Sequence, residues 1–127
     1  MGSVVVDMQS ALLADAIATA LKRFDSDFHA RQSESQEKTG KLCTYAQADI
    51  LLMEVTTYAL WSLDEWMKLR NEVKTQNSNC KVVLVVDENT EQKLADGVRQ
   101  AKGDGRIERF IYGSVSETYL SAVIDTL

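Results

Sequence analysis

Short apolar runs alternate along this chain with stretches in which apolar residues recur every three or four positions. The runs fit strands and the 3.6-residue period fits amphipathic helices, so the alternation predicts βαβ units around a parallel sheet. Val4-Val5-Val6 is the first run, closed by Asp7; Leu13, Ile17, Ala20 and Phe24 then form one helical stripe, with Ser10 available as its N-cap. Asp27 to Gln32 reads as a weak second strand. In the polar stretch from Glu34 to Tyr45, a short helix has only Leu42, Tyr45 and the adjoining Ala46 as anchors. Ile50 to Val55 is nearly all apolar, as a strand covered on both faces must be, and it belongs at the centre of the sheet.

Leu60, Leu63, Met67 and Val73 define a third helix, and Lys81 to Val86 a β-branched fourth strand ending at Asp87. Asn89 with Gln92 resembles a capping box ahead of the Leu94, Val98 and Ala101 stripe, which should break at Gly103-Asp104-Gly105. Arg109 to Tyr112 is a short fifth strand. Tyr119, Leu120, Val123, Ile124 and Leu127 make the closing helix, giving five strands and five helices.

Composition narrows the class. At 127 residues with 45% hydrophobic and 26% charged positions, the chain is sized for one core and balanced for a folded domain. The net charge of −5, with Lys and Arg scattered, argues against nucleic-acid binding, which calls for a clustered basic face. The amino terminus lacks a signal-peptide pattern and no apolar run is long enough to span a membrane, so a cytoplasmic protein without membrane contact is expected. Cys43 and Cys80 form no CxxC pair, and with His29 as the only histidine no zinc site closes; both thiols read as unreactive.

Ligands of open parallel sheets gather beyond the carboxyl ends of the strands. Asp7, Glu54 and Asp87 stand at such ends. If their strands are neighbours, Asp7 and Glu54 can share a pocket that holds a hard divalent cation or raises one carboxyl pKa; the alternative is that they are solvated or cap helices. Trp66 lies near the Leu63 and Met67 stripe and should be partly buried, whereas Trp61 precedes it.

The order of elements, with "VVVDMQSALLADAI", "ADILLMEVTTYALWSLDEWMKLR" and "FIYGSVSETYLSAVI", resembles the receiver domain of two-component response regulators along the whole chain. The resemblance implies a doubly wound (βα)5 flavodoxin-like fold of three α/β/α layers, with strand order 2-1-3-4-5. It also exposes departures. Receivers follow the first strand with two acids that hold magnesium beside an acceptor aspartate; here Asp7 is kept, Met8 replaces the second acid, and Glu54 stands at the acceptor position. Glutamate moves the carboxylate outward, and phosphoryl transfer depends on positioning. The switch hydroxyl falls on Val86 and the lysine on Gly113, followed by Ser114 in place of proline; the aromatic position is retained as Phe110.

A degenerate receiver, or pseudo-receiver, is therefore expected: no enzyme and no cofactor, with magnesium held only weakly through Asp7 and Glu54. Its partners would be another protein or a second copy, meeting the face of helix 4, strand 5 and helix 5 that carries Arg99, Arg106, Arg109, Tyr112 and Tyr119, with a sensor kinase as a further partner. Glu54 could mimic a phosphorylated acceptor, although the groups that would sense its charge are replaced. The competing readings are a phosphoryl-accepting receiver, within a phosphorelay, and a flavodoxin-like small-ligand binder. The domain could also be the amino-terminal part of a longer transcription regulator.

Overall fold

The computed structural model describes residues 2–8, 10–55, 63–86, 92–112 and 117–127. The elements are β1 (Ser3–Asp7), α1 (Ala11–Phe24), β2 (His29–Gln32), α2 (Gln36–Ala46), β3 (Ile50–Val55), α3 (Leu63–Gln76), β4 (Lys81–Val86), α4 (Gln92–Gly103), β5 (Arg109–Tyr112) and α5 (Glu117–Asp125). All strand pairings are parallel, in the order β2-β1-β3-β4-β5, which is the receiver arrangement.

Successive strand residues point to opposite faces of a sheet, and here both faces are covered. Val5, Leu51, Met53, Val55, Val82, Leu84 and Val86 pack with residues of α2, α3 and α4. Val4, Val6, Ile50, Leu52, Val83 and Val85 pack with α1 and α5. This two-sided burial is why β3 and β4 lack the polar alternation of a half-exposed strand.

Ser10 caps α1 as expected, its Oγ accepting from the Leu13 amide at 3.2 Å. The buried arc of that helix runs through Ala14, Ile17, Ala20 and Leu21, and Phe24 is 43% exposed. The predicted stripe was rotated by part of a turn, and Phe24 closes the helix where the chain leaves toward β2. Asp25 organises the turn that follows: its carboxylate accepts from the Asp27 amide at 2.9 Å and its carbonyl from the Phe28 amide at 3.1 Å. The strand consequently starts at His29 rather than Asp27.

In α2 the buried residues are Thr39 and Cys43, while Tyr45, expected as an anchor, is 78% exposed. Leu42 and Ala46 do pack partly against the core. Trp66 goes beyond the expected partial burial to 1% exposure, inside the α2–α3–α4 layer. Leu60, Trp61, Asp87 and the Asn89 cap lie outside the described residues. Among the described residues no helix is long and apolar enough to cross a membrane.

The predicted break after the fourth helix is a helix stop built on one left-handed residue. Gly105 has φ of 76°, which brings the Arg106 amide to the Ala101 carbonyl at 2.9 Å and satisfies a helix-end acceptor. A Cβ would meet nothing within 4 Å at either Gly103 or Gly105, so backbone strain alone separates them. Gly105→Ala is expected to cost about 1 kcal/mol, the left-handed penalty for a residue with a Cβ, whereas Gly103→Ala should be neutral or slightly stabilising; urea unfolding of the two variants measures the contrast.

Candidate functional site

β1 and β3 are neighbours, with Asp7 opposite Met53 and therefore one residue out of step with Glu54. Asp7 shares the parity of Val5, which faces α2 and α3, whereas Glu54 shares that of Ile50 and Leu52, which face α1 and α5. The two carboxylates thus stand on adjacent strands but on alternate sides of the pleat.

Asp7 is 4% exposed. Its Oδ2 accepts from the Thr39 hydroxyl of α2 at 2.9 Å. Thr39 Oγ1 also lies 2.6 Å from Ser33 Oγ and 3.1 Å from the Ser35 carbonyl, and Ser33 Oγ reaches that carbonyl at 2.7 Å. A hydroxyl has a single proton to give. The carboxylate is the strongest acceptor in the group, so Thr39 donates to Asp7, and the one Ser33 proton is shared between the Ser35 carbonyl and Thr39 Oγ1. The result is a short hydroxyl cluster of Ser33 and Thr39 that ties α2 and the residue after β2 to the carboxylate at the end of β1.

Burial is the main reason the Asp7 carboxyl is raised above its ordinary pKa; the Thr39 bond opposes the shift and the negative charge of Glu54 adds to it. Met8, at the position where the receiver resemblance has a second acid, packs partly buried against the α1–α5 layer. Among the described residues no group of three or more His, Cys, Asp or Glu side chains is placed to hold a metal ion.

Val86 is 2% exposed, paired between Val55 and Tyr112, with its side chain in the α2–α3–α4 layer. Phe110 packs against the same layer and meets Tyr112 edge to face, ring centroids 6.0 Å apart. Gly113 and Ser114 lie outside the described residues. Arg99 of α4 bonds Asp96 at 3.0 Å and the Tyr112 hydroxyl at 3.2 Å, which joins α4 to β5. Tyr119 is half exposed on α5. Arg106 departs from the expected face: it sits in the α4–β5 connection, at the amino end of the strands, where its carbonyl accepts from Arg70 Nε of α3 at 2.5 Å. Beside it, Glu108 pairs with Lys74 at 2.6 Å and accepts from the Val82 amide at 2.7 Å, bracing α3 against β4 and β5.

The thiols behave as expected of buried cysteines. Burial pushes Cys43 up to about 12 and Cys80 up to about 11, so neither is a thiolate near neutrality. Thr39 and Ser33 were not legible as site residues, because a threonine and a serine in a polar stretch look like surface; only the spacing of Thr39 four residues before Cys43, on one helix face, hinted at burial.

No family model matches the chain, and no curated protein matches it in sequence. Solved structures do resemble it. A response regulator receiver domain protein from Clostridium thermocellum superimposes with a TM-score of 0.77 at 14% identity, over 99% of this chain and 93% of its own. A LuxR-family DNA-binding response regulator from Staphylococcus aureus gives 0.76 at 13% identity, over 99% and 98%. An adenylate cyclase from Rhodopirellula baltica gives 0.72 at 13% identity, over 99% and 87%. The fold is that of response regulator receivers; at these identities, and with such different proteins sharing it, the likeness says nothing of output.

Because folding raises the Asp7 pKa above 3.8, the native state binds that proton more tightly than the unfolded chain, and stability falls as pH rises through the native value. Asp7→Asn removes the buried charge while keeping an oxygen for Thr39 to bond. The variant should show a higher urea midpoint than the parent at pH 7, with the gap narrowing as pH falls toward 4; a parent that is equally or more stable at pH 7 would contradict the raised pKa.

Proposed function

We propose that the chain is a receiver-type regulatory module whose output does not depend on phosphorylation. The observation that carries this reading is Met8 packed against the α1–α5 layer in the place of a second metal-binding acid. A receiver needs magnesium to neutralise the phosphoryl oxygens, and oxygen ligands to hold that ion. An apolar thioether supplies neither charge nor a hard donor, and Asp7 beside it already has its carboxylate engaged by Thr39. Glu54 adds negative charge one strand away, but Val86 is no hydrogen-bond donor through which that charge could be read.

The module would act by docking a protein in the cytoplasm, without contacting nucleic acid or membrane itself. Its dimerisation or partner surface is the α4–β5–α5 face, where the Arg99 bond to Tyr112 holds a cation and an aromatic side by side. Aromatic and arginine side chains are the groups that anchor protein interfaces. A longer regulator carrying this domain, or a sensor kinase that meets it, fits the same reading.

Magnesium and beryllofluoride, followed through tryptophan fluorescence and size-exclusion chromatography, test the proposal. The parent chain should respond to neither ligand, while Met8→Asp combined with Glu54→Asp should gain a magnesium response at millimolar concentration. A beryllofluoride response of the parent at sub-millimolar magnesium, with a shift in size, would make Asp7 and Glu54 a working site and end the phosphorylation-independent reading.

A further inference from the structure

Among the described residues β2 is the outer strand at one end of the sheet, paired with β1 on its inner side. The amides of His29 and Ser33 bond the carbonyls of Gly2, just before β1, and Val6 within it. In a parallel strand the N–H and C=O of one residue point the same way and alternate along the chain. His29 and Arg31 therefore face inward, and the backbone groups of Ala30 and Gln32 face outward, open to a further strand.

That open edge runs along a groove of about 660 Å³ lined by Ala18, Thr19, Lys22 and Arg23 of α1 and by Phe28 to Arg31. Its charged lining is cationic throughout, in a chain with a net charge of −5. The cations flank the edge on both sides. Lys22 and Arg23 belong to the α1 layer, while Arg31 points to the α2 layer, its guanidinium 5.8 Å from the centre of the Tyr45 ring. Of the acids near it, Asp15 accepts from the Gln32 amide group and Asp25 accepts from the Asp27 amide in its own turn, while Asp27 lies exposed beside Phe28.

We propose that the β2 edge is a docking site for an extended acidic peptide segment of a partner protein, added to the sheet as a sixth strand. Side chains of an added strand alternate between the two layers and would meet Lys22 and Arg23 on one side and His29 and Arg31 on the other. A second copy does not fit, because pairing β2 with β2 would bring two cationic edges together. Nucleic acid does not use an open row of backbone donors and acceptors. This site is independent of Asp7 and Glu54, and the reading of those residues stands or falls separately.

The test uses a fluorescein-labelled octapeptide, Glu-Glu-Val-Val-Glu-Glu-Val-Val, whose paired glutamates face both layers, with its Lys-for-Glu counterpart as control. Fluorescence anisotropy should show binding of the acidic peptide alone, weakened at least tenfold by Lys22→Glu with Arg31→Glu, in a variant whose circular dichroism matches the parent. N-methylating alternate peptide amides should abolish binding at one parity and spare it at the other. Such a pattern requires a hydrogen-bonded strand and involves no change to the protein. The proposal is overturned by equal binding of the lysine peptide or of a single-stranded oligonucleotide, by indifference to N-methylation at both parities, or by the absence of binding at millimolar peptide.

Discussion

A parallel sheet covered on both faces has no dry place for an unpaired charge, yet β1 ends in one. Asp7 is accommodated because α2 brings a hydroxyl to it: Thr39 donates at 2.9 Å, and Ser33 stands behind Thr39 at 2.6 Å. Leaving that carboxylate without a donor would expose the fold to the full desolvation cost of a buried charged group. The packing of α2, the turn after β2 and the carboxyl end of β1 are joined through this contact. The two buried residues of α2 are Thr39 and Cys43, so the helix docks through this contact and a small thiol rather than through a continuous apolar stripe.

The same arrangement reshapes the chemistry available at the carboxyl end of the sheet. Register brings Asp7 beside β3, but the pleat turns Asp7 and Glu54 to opposite sides, and Met8 is drawn into the α1–α5 layer. Charge still couples the two acids, since Glu54 helps to raise the Asp7 pKa, though burial is the larger cause.

At the opposite end of the strands, charge serves packing. Lys74 and Glu108, three-quarters or more buried, form a pair that also satisfies the Val82 amide, and Arg70 reaches the Arg106 carbonyl. Buried pairs of this kind hold their place only when their remaining hydrogen-bonding capacity is met. The surface expected to carry Arg99, Arg106, Arg109, Tyr112 and Tyr119 thus divides: Arg99 and Tyr112 lie together on the α4–β5 face, and Arg106 belongs to the brace beneath the sheet.

Patterns that depend on near neighbours were legible in the residues alone. The apolar runs of β1, β3 and β4, the Ser10 cap and the stop at Gly105 follow from periodicity and local backbone geometry, which act over a few residues whatever the rest of the chain does. Strand order was reached through the receiver resemblance, and so were Met8 and Val86 as departures from its chemistry. Contacts between distant segments were not legible: Thr39 looked polar and exposed, Tyr45 looked like an anchor, and the short, polar β2 looked barely a strand. Their roles depend on which layer faces which helix, how far α1 reaches along the sheet, and which strand is left at the edge, and tertiary packing alone decides these.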